Sequence, residues 1–283
     1  MATALRVALV SFRSDIFAAL SAGCAKAGHD VVLGITGRSE RPGKSSYANM
    51  GDKVTDLLTT IDPGVSLLLP GDMVGLIDAL RGYAIDIAVV CGLSWRLTPA
   101  ALRAPKRGVV NVHTSLLPRY RGPASIQWAI RNGDPTIGVT AHWMDERIDT
   151  GNIIAQRGGV GLRPFVRFDE LWADLTPTIE DLVADAVDRA ATGYAGEPQN
   201  EAEATYAGLF APDDATIDRT RPARTAHNLV RAFHFGAGVP GPFATVDGRR
   251  LRVLRTRLTP GSGVRLDCAD GPLWIESAEP AGT

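Results

Sequence analysis

The sequence predicts an α/β protein in which an open, mostly parallel sheet is followed by a small, mostly β unit. In the first two-thirds of its 283 residues, short and almost wholly apolar runs alternate with segments of helix length. Parallel strands that are covered by helices on both faces have this pattern. Beyond about residue 205, short β-rich runs are separated by Asp-Gly and Pro-Gly turns, which is typical of antiparallel strands.

The elements of the first part follow one another in a regular order. Strand-like apolar runs occupy residues 5–12, 31–36, 85–91, 108–113 and 136–143. Helical spacing of apolar residues occupies 15–27 and 71–83, and a long amphipathic stretch lies at 168–191. This alternation favours a Rossmann-like open sheet, in which ligands bind at the carboxyl ends of the strands.

The last part of the chain is predicted to be a separate domain. Residues 193–204 are poor in large apolar side chains and rich in Gly, Glu and Ala, which is typical of a linker. One helix is expected within 221–235. Four short strands are then expected at 243–247, 251–258, 264–268 and 273–276. We therefore expect a catalytic domain at 1–192, a linker at 193–204 and a small C-terminal domain at 205–283.

Composition and charge exclude several classes of protein. Hydrophobic residues make up 45% and charged residues 22%, as in an ordinary globular chain. The net charge of −1 gives no overall attraction to nucleic acid or to an anionic membrane. The three cysteines are scattered and form no CxxC pair, so neither a disulfide framework nor a metal site is predicted. With no signal peptide or membrane-spanning run visible, a cytoplasmic protein without a membrane partner is expected.

A glycine-rich segment at 37–45, GRSERPGKS, resembles a phosphate-binding loop but fails the required spacing. Five residues separate its two glycines, whereas the motif needs four. The spacing sets how the backbone N–H groups curve around a phosphate, so the extra residue breaks the match. We expect a polar loop here, not a nucleotide site.

The segment 111–156 combines an amide, an imidazole and a carboxylate. Asn111 and His113 are two residues apart at the end of a predicted strand, so both side chains leave the same face. Asp149 precedes a Thr-Gly turn, and it would reach the same sheet end if the run 136–143 returns beside that strand. Such a trio suits acyl transfer to an amine: the amide donates to the developing oxyanion, the imidazole moves protons and the carboxylate supports the imidazolium. A serine nucleophile at Ser115 is disfavoured because no GxSxG elbow surrounds it.

An Asn-x-His pair alone would favour a structural histidine, but the longer segment is more specific. It reads Asn-x-His-x-Ser-Leu-Leu-Pro-x-x-Arg-Gly from Asn111, followed by Gly-x-Thr at 138–140 and Asp-Thr-Gly at 149–151. In this it resembles the folate-dependent formyltransferases. The last part resembles the OB-like C-terminal domain of methionyl-tRNA formyltransferases at 205–207, 217–218, 230–232 and 242–243. Sugar-nucleotide and hydroxyornithine formyltransferases carry comparable tails.

The resemblance implies an enzyme whose co-substrate is 10-formyltetrahydrofolate. It places Asn111, His113 and Asp149 at the family's catalytic positions. It also implies that two loops border the pterin of the donor. The expected donor-binding residues are Cys91, Gly92, Leu93, His142, Met144 and Asp145.

Departures from the family pattern concern the acceptor. Members that act on initiator tRNA usually have Gly-Thr-Pro where this chain has Ser-Phe-Arg at 11–13, and mostly Pro where it has Ser125. The loop 37–53 also lacks their Ser-Pro-Val-Lys ending, and 205–283 carries a charge of only +2. We therefore expect a small-molecule amine as acceptor, such as an amino sugar or a hydroxyornithine-like intermediate. The alternative is a methionyl-tRNA formyltransferase acting on initiator tRNA.

Two further hypotheses remain open. A deformylase would release formate to water with the same three residues, but members of that type carry a separate domain before the first strand, where only four residues precede Leu5. A binding module without catalysis would not need Asn111, His113 and Asp149 together. The sequence predicts no oligomeric state.

Overall fold

A computed structural model describes residues 4–39, 44 and 48–281, which form two compact units. The first consists of Met1–Arg121, Gly138–Gly158 and Asp174–Ala204, and the second of Gly122–Ile137, Gly159–Ala173 and Thr205–Thr283. The polar loop predicted at 37–45 lies partly outside the described residues, because 40–43 and 45–47 are among those left out. The sequence-based boundaries at 192 and 204 stay predictions.

A seven-stranded sheet organises the first unit, with the strand order β3-β2-β1-β4-β5-β6-β7. Its strands are β1 Arg6–Val10, β2 Asp30–Ile35, β3 Ser66–Leu68, β4 Ile87–Val90, β5 Val109–His113, β6 Thr136–Trp143 and β7 Ile153–Gly161. Strands β1 to β5 pair in parallel, and β6 runs antiparallel to β5. The predicted open, mostly parallel sheet is confirmed. The strand order reverses between β1 and β4, where open α/β sheets bind ligands.

The central strands β1 and β4 are buried along almost their whole length, as expected of parallel strands with both faces covered. Val7, Ala8 and Leu9 of β1 and Ile87 and Val89 of β4 are all fully buried or nearly so. The α-helices of the described residues are α1 Ser14–Lys26, α2 Met50–Thr60, α3 Met73–Gly82, α4 Pro99–Leu102, α5 Ser125–Asn132, α6 Phe168–Ala191 and α7 Ala223–Gly236. Among the described residues, no helix has both the length and the apolar character that crossing a membrane requires.

Side-chain caps fix where two of these helices begin. The Asp72 carboxylate accepts a hydrogen bond from the Gly75 N–H at 2.8 Å and so starts α3. The Thr98 hydroxyl accepts from the Ala101 N–H ahead of α4, whose first residue is Pro99. Each such cap stabilises its helix by ~1 kcal/mol. Leu76 and Leu80 of α3 pack against the same apolar cluster as Val90 and Val109 of the sheet.

The second unit contains a four-stranded antiparallel sheet with the order β10-β11-β9-β8. Its strands are β8 Phe243–Val246, β9 Arg249–Arg257, β10 Val264–Cys268 and β11 Gly271–Pro280. The hairpin from β8 to β9 turns at Asp247 and Gly248, with φ values of 48° and 74°. Two successive positive φ values define the tight hairpin turn that Asp-Gly favours. The small, mostly β C-terminal unit predicted from these turns is confirmed.

Candidate active site

The carboxyl end of β5 gathers the three residues predicted to be catalytic, all within the first unit. The expected return of 136–143 beside β5 is confirmed, with Asn111 opposite His142 and His113 opposite Thr140. The four side chains therefore share one face of the sheet. Asp149, in the connection from β6 to β7, places its carboxylate 3.6 Å from the His113 Nδ1 atom and 3.3 Å from the Asn111 Nδ2 atom.

The tautomer of His113 follows from its backbone partner. The Nε2 atom lies 2.8 Å from the Tyr120 carbonyl oxygen, which can only accept, so Nε2 carries a proton. Tyr120 itself has φ 59°, a conformation that bulky residues rarely adopt. Nδ1 is therefore the nitrogen that can take up a proton, and it faces Asp149.

Burial and charge act on the pKa of His113 in opposite directions. Burial is the largest cause and lowers the pKa below its usual value, and His142 lowers it further. The Asp149 carboxylate and the Tyr120 carbonyl favour the imidazolium and partly offset this effect. The net direction is downward, so His113 is neutral at neutral pH and its Nδ1 lone pair is available as a base.

The Asn111 amide is oriented by two neighbours. Its Nδ2 group donates to the Asp149 Oδ1 atom and, at 3.2 Å, to the His142 Nε2 atom. His142 Nδ1 lies 2.9 Å from the Trp143 carbonyl oxygen and so carries the proton, which leaves a lone pair on Nε2. This arrangement fixes the Nδ2 end of the amide toward Asp149 and His142. To donate to a substrate oxygen, Asn111 must exchange one of these two bonds.

Glycine at position 151 allows the Asp149 loop to lie against β6. A Cβ atom there would stand 1.8 Å from the Trp143 carbonyl oxygen, closer than any contact permits. Asp149 has φ 54°, a left-handed conformation that Asp tolerates better than most residues. Asp145 braces the same loop, because its carboxylate accepts from the Thr150 hydroxyl and the Arg147 N–H, both at 2.8 Å.

The loop that follows His113 is held by the buried Thr140 hydroxyl. This hydroxyl donates to the Ser115 carbonyl at 2.6 Å and accepts from the Leu117 N–H at 3.1 Å. The Gln156 amide donates both to the Thr140 oxygen and to the Leu117 carbonyl. Threonine at 140 therefore sets the path of the chain that carries Tyr120 back to His113.

Comparison with known families matches both parts of the chain. The family model described as "Formyl transferase" covers residues 5–158, and the one described as "Formyl transferase, C-terminal domain" covers 210–283. The chain belongs to the formyltransferase family. The resemblance found in the sequence is confirmed, and the protein is an enzyme that uses 10-formyltetrahydrofolate as formyl donor.

Individual relatives resemble this formyltransferase over most of its length. The methionyl-tRNA formyltransferase of Synechococcus sp. (strain JA-3-3Ab) is 33% identical over 279 residues, which is 89% of this chain and 83% of that protein. An N-formyltransferase from Helicobacter canadensis, solved with folinic acid and dTDP-3-aminofucose, has a TM-score of 0.67 at 17% identity, covering 97% of this chain and 100% of that one. HypX from Aquifex aeolicus with tetrahydrofolic acid scores 0.62 at 18% identity, covering 99% and 45%. Both structures share the fold.

The residues expected to bind the donor occupy different environments in this formyltransferase. Gly92 and Leu93 line a shallow hollow at the carboxyl ends of β1 and β4, together with Ser11 and Phe12. Cys91 is buried, and burial raises the pKa of its thiol to about 12, so the Sγ atom is neither exposed nor ionised.

The other expected donor-binding residues lie along β6 and in the loop after it. The His142 ring contacts the Asn111 amide, Met144 packs against the apolar cluster that includes Val90 and Val109, and Asp145 bonds within its own loop. The loops that follow β4 and β6 are linked directly, because Arg96 donates to the Glu146 carbonyl at 2.7 Å. The structure thus brings both loops together, with Gly92 and Leu93 facing the open hollow.

Several residues of the site were not singled out from the sequence. Arg121 and Thr140 stand inside the recognised signature, in Arg-Gly and Gly-x-Thr, so their positions were visible although their contacts were not. Gln156 and Gln199 carry no such signal. Gln199 lies in the segment predicted as a linker, yet its amide reaches the backbone of the Asp149 loop.

Proposed function

We propose that Asn111, His113 and Asp149 transfer the formyl group of 10-formyltetrahydrofolate to an amine nitrogen of the acceptor. The observation that supports this most strongly is the convergence of an amide donor, a neutral imidazole and a carboxylate within 3.3–3.6 Å. The bound donor supplies a formyl carbonyl on a nitrogen leaving group. His113 Nδ1 takes the proton of the attacking amine, and Asp149 stabilises the resulting imidazolium.

Asn111 has a separate role in this proposal. Its Nδ2 group donates to the formyl oxygen as negative charge develops there, in exchange for its bond to Asp149 or His142. His113 then returns the proton to the departing nitrogen, so no covalent enzyme adduct is needed. Gly92 and Leu93, with the adjacent 144–146 loop, are proposed to hold the donor, and Cys91 contributes only through its backbone. We place the reaction in the cytoplasm, in keeping with three unpaired cysteines.

For the acceptor, the relatives favour methionyl-tRNA, the alternative that the sequence pattern alone ranked second. The Synechococcus protein, aligned over 89% of this chain, is a methionyl-tRNA formyltransferase, and so is a relative from Pelobacter propionicus at 31% identity. The α-amine of a methionyl ester has the nucleophile that the site requires. We therefore propose the methionyl group of initiator tRNA as the first candidate acceptor.

A small amine stays as the second candidate because of the charge distribution on the C-terminal sheet. The basic row on β9 is partly neutralised by carboxylates of β11: Arg252 pairs with Glu279 at 2.9 Å, and Arg255 and Arg257 pair with Glu276 at 3.2 Å. Binding of tRNA depends on contacts between positive side chains and its phosphates, and arginines that already pair with carboxylates contribute less net positive charge to such contacts. This pairing favours an acceptor without a phosphate backbone.

One assay separates the candidates. Purified enzyme is mixed with 10-formyltetrahydrofolate and an acceptor, and tetrahydrofolate release is followed by absorbance. With micromolar methionyl-tRNA we expect efficient formylation that falls steeply as salt is raised. The matched controls are uncharged tRNA, which lacks the amine, and the Asn111→Ala enzyme.

Other results would change the assignment. Turnover with an amino-sugar nucleotide or N-hydroxyornithine, but not with methionyl-tRNA, would establish the second candidate. Release of formate without any amine would indicate a deformylase. No tetrahydrofolate release under any of these conditions would contradict formyl transfer by this site.

A further inference from the structure

Gln199 connects the Asp149 loop to a buried arginine. Its Nε2 group donates to the carbonyl oxygens of Asp149 and Gly151, both at 2.8 Å. Its Oε1 atom accepts from Arg121, from Nε at 3.0 Å and from Nη2 at 2.8 Å. Both amide hydrogens and both oxygen lone pairs therefore have partners. Because Arg121 can only donate, the amide can face the loop only with its Nε2 end.

Arg121 is itself firmly held. The residue is 8% exposed, and its guanidinium also donates from Nη1 and Nη2 to the two carboxylate oxygens of Glu201, each at 2.9 Å. A planar guanidinium that makes paired bonds on two sides has one orientation. The series of hydrogen bonds from Glu201 through Arg121 to Gln199 thus ends at the carbonyl groups of the two residues that flank Thr150.

The position of the Asp149 carboxylate depends on that backbone. Asp149 adopts φ 54°, and a change in this torsion would swing its side chain away from His113 Nδ1 and Asn111 Nδ2. The carbonyl groups of Asp149 and Gly151 are the two points where Gln199 holds the loop. Gly151 also lies tight against the Trp143 carbonyl, so the loop is held from two sides.

We propose that Gln199 is a positioning residue of the formyl transfer, acting through the Asp149 backbone to set the carboxylate against His113. The inference rests on the proposed role of Asp149. It also gives the segment 193–204 a part in the site, where the sequence indicated only a linker.

The first test replaces Gln199 with methionine, which keeps the length and removes both polar ends. Gln199→Met should lower kcat by about 10- to 100-fold, since a small misplacement of a catalytic group has a cost of that order. The acidic limb of the pH–rate profile should move to lower pH, because a more distant Asp149 raises the pKa of His113 less. Among the described residues, Asp149 and His142 are the titratable groups that act on His113, and the substitution replaces neither of them, so the shift reports a change in the position of Asp149.

The matched control is Gln127→Met. Gln127 also donates to a backbone carbonyl, that of Gly236 in the second unit, and its loss should leave kcat and the acidic limb at wild-type values. A Gln199→Met enzyme whose acidic limb is unchanged, and whose loss of activity only follows its folded fraction, would overturn the proposal.

A second variant keeps the test decisive if Gln199→Met folds poorly. Gln199→Glu preserves the pairing with Arg121 but presents a carboxylate to the two carbonyl oxygens. It should stay folded and lose at least about tenfold in kcat. A kcat unchanged within about twofold would overturn the proposal.

Asp149→Asn, measured alongside, separates the two inferences. If Asp149→Asn lowers kcat and neither Gln199 variant does, the positioning role is wrong while the proposed function stands. If Asp149→Asn itself leaves kcat unchanged, the proposed catalytic role of Asp149 is wrong, and the positioning role of Gln199, which depends on it, is wrong too.

Discussion

At His113, the Asp149 carboxylate partly offsets the effect of burial on the pKa of the imidazole. Burial and His142 lower its pKa, and Asp149 raises it. Replacing Asp149 with asparagine removes the raising contribution, so the pKa of His113 should fall further. The base then stays deprotonated to lower pH, and the acidic limb of the kcat/KM profile should move downward while the plateau also falls.

The control for this prediction is Asp181→Asn, which removes an exposed carboxylate paired with Lys26. It should leave the acidic limb in place. A limb that is identical in wild type and Asp149→Asn would show that the two side chains are not coupled during turnover.

Asn111 is predicted to act on the transition state and not on donor binding. Asn111→Ala should reduce kcat by ~10²–10³, the usual effect of removing one oxyanion donor. Donor affinity, measured by fluorescence titration, should change little. The substitution also leaves the buried His142 Nε2 atom without its donor, which costs ~1–3 kcal/mol of stability. The thermal midpoint therefore has to be recorded with the rate, and wild-type turnover would remove Asn111 from the mechanism.

At the scale of elements, the connection from β6 to β7 depends on glycine at 151. In Gly151→Ala, the new Cβ would lie 1.8 Å from the Trp143 carbonyl oxygen, so the loop must move and carry Asp149 with it. We expect kcat to fall by about 10² or more, since the carboxylate loses its alignment. Steady-state kinetics and a thermal melt check this together.

Gly161 provides the comparison for that substitution. It lies at the end of β7, and no described atom comes within 4 Å of a Cβ built there. Gly161→Ala should therefore keep wild-type kcat. Equal activity of the two variants would contradict the close-approach argument.

At the scale of the whole molecule, the cysteines should report on global unfolding. Cys24 and Cys91 are buried, and burial raises the pKa of each thiol to about 12. Cys268 is only half-buried. Burial raises the pKa of the Cys268 thiol as well, but this side chain is accessible, so a thiol reagent at alkaline pH should modify this one cysteine of the native protein in a faster phase, and the other two only as denaturant unfolds it. Cys268→Ser should abolish the fast phase, and rapid modification of two or more thiols in the native enzyme would contradict this burial pattern.

Local sequence patterns predicted the strands and helices that are long enough and apolar enough to leave a periodic signal. The central strands β1, β4 and β5 and the helices α1, α3 and α6 were visible because burial on both faces, or on one helical stripe, leaves a period in the sequence. Strand β3 has only three residues and helix α2 buries only Leu57, so neither leaves a usable pattern. Strand β7 buries only Ile154, Ala155 and Val160, without alternation and among glycines and polar residues, and it was not anticipated.

The sequence by itself determined the α/β class, the antiparallel C-terminal unit, the family and the residue types of the candidate site. These depend on periodicity, turn chemistry and side-chain chemistry, which are local. The sequence placed Asp149 near Asn111 only on the condition that the run 136–143 returns beside β5, and the tertiary structure decided that it does; only the tertiary structure showed that Arg121 meets Gln199 across 78 positions. Such contacts arise when strands pair and loops close, and no local pattern encodes the distance between residues so far apart. For the same reason the Gln199 amide, placed in an inconspicuous polar segment, became visible only once the chain was folded.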